Sequence, residues 1–315
     1  MIRVKNLTKR YGPVLAVDDI SFDVERGGVV GFLGPNGAGK TTAMRILTCY
    51  QPATGGSASV RGFDVFKQSL EVRRCVGYLP ETAPLYPEMR VREYLHFRGK
   101  LRGMSYPERT KAIRHVSDRC WLGGFIDRPI GQLSKGMKQR VGLADAIMHS
   151  PEVLILDEPT LGLDPTQIRE TRNLIRELGA NHTVLLSSHI LHEIEQTCYR
   201  TIIIAAGRIV ASGSPEELRD QLSAQARVIA EMRGPPEEIE RSARSLDGVR
   251  NVEVSSSDGW VRLAIEPKPE QDVREDIFRL TTSKGWSLRE LRREGATLED
   301  FFVQVTAQQQ DTQTR

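Results

Sequence analysis

Short continuous apolar runs recur along the chain, at Val29 to Leu33, Val153 to Leu156 and Val184 to Leu186, with an alternating stretch from Ile20 to Val24. Runs of this length without a polar face suit strands buried on both sides of a sheet. Between them the period lengthens, and Ile168, Arg172 and Ile175 fall at helical spacing within Ile168 to Leu178. Strands alternating with helices predict a mostly parallel sheet with crossover connections, an α/β core. The segment from about 91 to 148 has helical periodicity and few strand-like runs, so it reads as a helical insertion.

Beyond Leu218 the character changes. Arg227 to Met232 reads as a strand, and Pro235 and Pro236 open a helix with Ile239, Ala243 and Leu246 on one face. Val249 to Val254 and Trp260 to Ile265 follow as strands, separated by a turn over Ser255, Ser256, Ser257, Asp258 and Gly259, which is a hairpin signal. A second helix aligns Val273, Ile277 and Leu280, and a last strand spans Trp286 to Leu291. That order matches a small ferredoxin-like α+β unit. Thr297 with Asp300 forms a capping box for a short helix carrying Phe301 and Phe302, and the polar tail around Gln308 to Asp311 predicts disorder.

The chain's 315 residues exceed one ordinary domain, which supports a core with an appendage. Charged residues make up 27% of it and nearly cancel, leaving +3 with no block of like charge, so no nucleic-acid partner is expected. Cys49, Cys75, Cys120 and Cys198 are far apart, which suggests neither a zinc knuckle nor a disulfide scaffold. Met1 to Leu7 alternates like a strand and lacks the apolar run of a secretory signal. The most apolar stretch, Thr201 to Val210, is interrupted by Gly207 and Arg208 and falls far short of the ~20 residues that cross a bilayer. Any membrane role is therefore expected to come through a partner.

Chemistry concentrates in two places. Gly34, Pro35, Asn36, Gly37, Ala38, Gly39, Lys40 and Thr41 complete the pattern Gly-x-x-x-x-Gly-Lys-[Ser/Thr], after the strand Val29 to Leu33 and before the helical Thr42 to Leu47. Glycines there let successive N–H groups point inward at phosphates, and the following helix adds its positive end. Lys40 would reach the β- and γ-phosphates of a triphosphate, and Thr41 offers a hydroxyl to Mg²⁺. A bare glycine-rich turn is the competing reading, but it leaves Lys40 without a reason. The second place is the strand ending in Asp157 and Glu158, costly to bury unless they face a cation or a reactive water. Asp157 would hold Mg²⁺ through a water, and Glu158 would orient and deprotonate the water that attacks the γ-phosphate.

With these motifs in place, further residues make roughly the first 220 positions resemble the ATP-binding cassette family of transporter ATPases. Tyr11 resembles the family's adenine-stacking aromatic. Leu133, Ser134, Lys135, Gly136 and Met137 resemble its signature, and Leu161 to Asp164 resembles the loop that crosses its dimer interface. His189 resembles the switch histidine, and Gly77 to Glu81 is placed like the glutamine loop. Two departures stand out: Lys135 and Met137 replace the usual glycine and glutamine, and Glu81 stands where glutamine is usual.

The resemblance implies a P-loop NTPase (RecA-like) core with an antiparallel β subdomain and a helical subdomain, followed by the ferredoxin-like domain. The expected boundaries are 1–219 for the nucleotide-binding domain, 220–306 for the accessory domain and 307–315 for the tail. It also implies ATP and Mg²⁺ as ligands, with Lys40, Glu158 and His189 catalytic. Tyr11, the loop Gly34 to Thr42, Ser134, Gly136 and Asp164 would hold nucleotide, and Thr41, Asp157 and Glu81 the metal; Glu81 as a plain loop residue is the competing reading. Ser134 and Gly136 would act across a head-to-tail dimer, on the ATP of the other copy.

Tyr78 to Arg98, containing Pro80 to Pro87, and the ending Thr297 to Phe302 resemble export-type members, including drug-efflux and gliding-motility-associated systems, and the resemblance implies a permease contact around Ala83 to Lys100. A transmembrane permease, a second ATPase copy or related chain, and a place on the inner face of the cell membrane are thereby expected. A soluble cassette ATPase acting on ribosomes or DNA, and a nucleotide-gated module with little turnover, are the competing functions.

Overall fold

The computed structural model describes residues 1–218, 227–268 and 271–294. The capping box at Thr297 and Asp300, the helix with Phe301 and Phe302 and the tail expected from 307 lie outside them. The described chain divides into a larger unit, Met1–Pro215, and a smaller one beginning at Glu216.

Two sheets build the larger unit. Strands β1 (Ile2–Tyr11), β2 (Val14–Val24), β4 (Gly55–Val60) and β5 (Phe63–Asp64) pair antiparallel in the order β2-β1-β4-β5. The second sheet has the order β10-β9-β3-β8-β7-β6. Its strands β3 (Gly28–Leu33), β6 (Val76–Leu79), β7 (Val153–Asp157), β8 (Thr183–Ser188) and β9 (Arg200–Ala205) run parallel, and β10 (Arg208–Gly213) returns antiparallel along the edge. Every residue of β7 and β8 is buried, as unbroken apolar runs require. Helix α1 (Lys40–Leu47) shares one core cluster with both sheets: Met44 and Leu47 are buried in it together with Ile2, Leu7 and Ile20 of the antiparallel sheet and Phe32, Ile155 and Leu185 of the other.

Helix α2 (Ser69–Cys75) leads into β6, and the expected insertion contains α3 (Val91–Leu101), α4 (Tyr106–Arg119) and α5 (Lys135–Ile147). Ser105 and Glu108 form a reciprocal cap at the start of α4. The buried Asp145 of α5 accepts from Arg98 Nε of α3 at 3.0 Å and from the Tyr94 hydroxyl at 3.4 Å, pinning the two helices together. Helix α6 (Pro165–Gly179) buries Thr171, Leu174, Ile175 and Leu178, a face turned slightly from the Ile168-Arg172-Ile175 row expected. Helix α7 (Leu191–Thr197) follows β8. Among the described residues no helix is long and apolar enough to cross a membrane.

The smaller unit runs β11 (Arg227–Arg233), α8 (Pro236–Arg244), β12 (Val249–Ser257), β13 (Trp260–Pro267), α9 (Arg274–Lys284) and β14 (Ser287–Glu294). Its sheet order β12-β13-β11-β14, antiparallel throughout, is that of a ferredoxin-like fold. The hairpin turn is tighter than the five residues expected. Ser255, Ser256 and Ser257 pair with Arg262, Val261 and Trp260, and the chain reverses over Asp258 (φ 54°) and Gly259 (φ 73°). Two successive positive φ angles define the two-residue turn whose twist matches the strands. The serines lie at an exposed strand end, where no apolar alternation reveals them.

Candidate functional site

Parallel pairing decides where the chemistry collects. In the ladder, Leu33 of β3 is level with Ser188 of β8, Asp157 of β7 with Ser187, and Leu79 of β6 with Leu156. The segments that follow these strands therefore emerge at one edge, the C-terminal end of the sheet, where ligands of open α/β sheets bind. They are the glycine-rich loop, Glu158, His189 and Glu81. A cavity of about 380 Å³ opens among them, lined by Pro35 to Thr42, Glu81, Glu158 and His189 together with Ala16 and Leu161.

The loop's shape depends on glycine. Gly37 and Gly39 sit at φ 80° and 103°, and a Cβ on Gly39 would lie 2.4 Å from the Ala16 carbonyl oxygen. No L side chain fits that combination of angle and space. Gly39 then precedes α1, whose free N–H groups and dipole face the cavity. Lys40, only 5% exposed, donates from Nζ to the carbonyls of Gly34 (2.6 Å) and Pro35 (3.1 Å), and its ammonium stands 3.4 Å from Glu158 Oε1.

The acidic strand end is held from several sides. Ser187 Oγ donates to Asp157 Oδ1 at 2.6 Å and accepts from the Glu158 N–H at 2.9 Å. Thr41 also hydrogen-bonds to Asp157. Glu158 adopts φ 49°, a left-handed conformation costing about 1–2 kcal/mol for such a residue. Its carbonyl accepts from the Leu161 N–H at 3.1 Å and from Gln139 Nε2 of α5 at 3.4 Å, and its Oε2 lies 2.9 Å from His189 Nδ1. Burial lifts the Asp157 carboxyl above the usual range, against hydrogen bonds from Ser187 and Thr41, and the charges of Glu158 and Glu81 push the same way as burial. Two buried oxygens, Asp157 Oδ2 and Glu158 Oε1, have no hydrogen-bond partner among the described residues, though Glu158 Oε1 faces the Lys40 ammonium at 3.4 Å. A hydroxyl and carboxylates with oxygens to spare, beside a phosphate-sized nest, form a donor set that fits a hard divalent cation or an ordered water.

The other expected residues lie elsewhere. Ser134 caps α5, its hydroxyl accepting from the Met137 N–H at 3.3 Å, and Asp164 caps α6 by accepting from the N–H groups of Thr166 (3.0 Å) and Gln167 (2.9 Å). Gly136 packs closely there, since a Cβ on it would stand 2.6 Å from Gln167 Oε1 and 3.1 Å from Leu163 Cδ2. These three form a second group at two adjoining helix N-termini and do not line the cavity. Tyr11, at the end of β1 and 43% exposed, donates its hydroxyl to Gln51 Oε1 at 2.7 Å, with the Lys9 ammonium 5.0 Å from its ring centre. Sequence reasoning missed Ser187 and Gln139. A polar pair, Ser187 and Ser188, ending an otherwise apolar strand was the available signal.

Comparison with known proteins points to one family. The family profile described as ABC transporter matches residues 17–161. The chain is similar to the linearmycin resistance ATP-binding protein LnrL of Bacillus subtilis (strain 168), 31% identical over 309 residues covering 97% of this chain and 98% of that one. It is also similar to the Nod factor export ATP-binding protein I of Burkholderia lata, 33% identical with 98% and 97% covered. A dimeric structure of a bacterial ABC transporter cassette superposes with a TM-score of 0.64 at 25% identity, covering 68% of this chain and 98% of that one.

Proposed function

The chain belongs to the ABC transporter family, as one of its ATP-binding and ATP-hydrolysing subunits, and from that premise we propose that it drives export through a separate membrane permease. One observation carries the hydrolytic half of this reading: Glu158 stands in the wall of the phosphate-loop cavity, held between the Lys40 ammonium and the His189 ring. The N–H groups of Gly37 and of Gly39 to Thr42, which the loop's own hydrogen bonds leave free, cradle the phosphates, and Lys40 turns from its backbone acceptors to the γ-phosphate. Glu158 orients the attacking water and takes its proton, and His189 holds both Glu158 and the transferred phosphate. Thr41, Asp157 and Glu81 would hold Mg²⁺, which when bound neutralises charge on the phosphates.

Two copies meet head to tail, so that Ser134 and Gly136, at a helix N-terminus, close over the other copy's triphosphate, with Asp164 in the adjoining loop. Tyr11 stacks on the adenine. ATP is thus part of the contact, and hydrolysis weakens it. The nucleotide-binding domain spans 1–219 and the accessory domain 220–306. The chain sits on the inner face of the cell membrane through the permease.

Export is supported by the relatives' names, one a linearmycin resistance protein and one a Nod factor export protein. Docking is supported by a groove of about 1140 Å³ in the larger unit. Its walls carry Arg73, Arg74, Arg102 and Lys111 against a single lining carboxylate, Glu108, while Arg98 is paired with the buried Asp145, and Leu70 and Leu101 are both more than 60% exposed. That surface suits an acidic, amphipathic cytoplasmic segment of the permease, reaching the expected contact region 83–100 through Arg98. Glu158→Gln tests the reading: ATP binding persists, the ATP-bound dimer accumulates and turnover drops by ~10²–10⁴. Unchanged turnover removes Glu158 as the base, and failure to co-purify with any membrane-spanning subunit removes the transport role.

A further inference from the structure

Among the described residues two buried carboxylates have no part in the mechanism, and while Asp145 is paired with Arg98, Glu193 has no such cation. Glu193, in the first turn of α7, is only 7% exposed, and among the described residues no cation pairs with it. A buried charge without a counter-ion is costly, so its hydrogen bonds matter. Its Oε2 accepts from Thr160 Oγ1 at 2.7 Å and from Ser188 Oγ at 3.1 Å. Thr160, itself 7% exposed, lies two residues past Glu158, and Ser188 directly precedes His189. Ser188 Oγ also accepts from the Ile190 N–H at 3.0 Å, so both neighbours of His189 are engaged by this cluster. The Ser188 carbonyl accepts from the Gly34 N–H at 3.3 Å, at the root of the phosphate loop.

These contacts close a ring. From Glu158 the chain leads to Thr160, then by hydrogen bonds through Glu193 to Ser188, then to His189, whose Nδ1 returns to Glu158 Oε2 at 2.9 Å. Neither strand end can shift relative to the other without breaking a bond to Glu193.

We propose that Glu193 is a positioning residue for ATP hydrolysis, fixing the spacing of Glu158 and His189 by tying the loop after β7 to the end of β8. A carboxylate does this with one oxygen because it can accept two hydroxyl protons at once. The proposal rests on Glu158 as the base and His189 as its partner. A helix-end acid that merely favours the α7 dipole would occupy the same position, and the experiment must separate the two roles.

The test uses the full chain with Glu193→Ala, Glu193→Gln, His189→Ala and the Glu193→Ala/His189→Ala pair, and Glu158→Gln alongside. Misplacement of reacting groups lowers kcat in Glu193→Ala by about 10–100-fold while equilibrium nucleotide affinity changes by less than about twofold. Glu193→Gln keeps an amide oxygen that accepts from both hydroxyls, and it restores most of the rate. Because Glu193 acts through His189, its loss adds less than about twofold in the His189→Ala background. An equal drop in both backgrounds, a parallel loss of nucleotide affinity, no rescue by glutamine, or an unchanged kcat overturns the proposal. If Glu193→Ala does not fold, Thr160→Val removes one hydroxyl of the ring and is held to the same criteria. If Glu158→Gln retains full turnover, the assignment of the base fails instead.

Discussion

Lys40 and Glu158 form a buried ion pair, Nζ to Oε1 at 3.4 Å, with their side chains 6% and 7% exposed. Lys40 also donates to the carbonyls of Gly34 and Pro35, so its ammonium is satisfied by the site's own acceptors. A triphosphate competes for that ammonium. Once it is redirected, Glu158 keeps His189 as its neighbour and faces the cavity.

Removing Lys40 alone leaves a buried carboxylate short of a counter-charge. Lys40→Ala is expected to lower unfolding free energy by about 3 kcal/mol, in addition to losing nucleotide binding. Lys40→Ala/Glu158→Gln recovers more than half of that loss, because the stranded charge goes with it. Urea unfolding in the absence of nucleotide reads both, and a double variant as unstable as the single one contradicts the pairing.

Ser187 serves two partners at once, the Asp157 carboxylate and the Glu158 N–H. Ser187→Ala leaves a buried acceptor and a buried donor unsatisfied and is expected to cost about 1–3 kcal/mol. It also frees the left-handed Glu158 backbone, so turnover falls with stability. Thermal melting together with steady-state hydrolysis checks this; an unperturbed melting temperature counts against it.

His189, directly after β8, contacts Glu158 Oε2, while Lys40 faces Oε1. Loss of one preorganised donor to the developing charge is expected to lower kcat by ~10²-fold in His189→Ala, with ATP affinity little changed. Single-turnover hydrolysis beside equilibrium nucleotide binding distinguishes this from a general loss of structure.

His149 makes stability pH-dependent. Burial first, then the Arg102 guanidinium, with Arg98 and His182 adding, push it from 6.5 down to about 3, against a raising contact from the Val76 carbonyl. Its Nε2 lies 2.8 Å from Arg102 Nη1. The folded protein thus refuses a proton that the unfolded chain binds below about pH 6.5. Stability is unaffected by this residue at higher pH and falls as pH drops from 6.5 toward 3, by up to about 1.4 kcal/mol per unit. Unfolding midpoints at pH 7, 6 and 5 should fall less steeply in His149→Gln than in the unaltered chain.

Much of the fold was legible because it is written locally. The hairpin shows itself through Asp258 and Gly259, α8 through Pro235 and Pro236, and β7 and β8 through apolar runs with no polar face. The buried face of α6 was misjudged because Arg172 and Ile168 lie at its margin, and only packing decides where a margin ends. Ser187, Gln139 and Glu193 were not legible. Serine, glutamine and glutamate are ordinary surface residues by type; only the polar pair ending the apolar β8 pointed to Ser187, and nothing adjacent in the chain marks Gln139 or Glu193 as buried.

By itself the sequence determined the phosphate loop, since its glycines, Lys40 and the start of α1 are contiguous and backbone sterics alone shape the turn. It determined equally the alternation of strands and helices and the order of the smaller unit's elements. Tertiary structure alone decided that Glu158, far along the chain from Lys40, stands against it with His189 on its other oxygen, and that Ser134, Gly136 and Asp164 gather in a separate group. The reason is that parallel strands in register bring their C-terminal ends level whatever the length of chain between them, and local periodicity carries no record of that register.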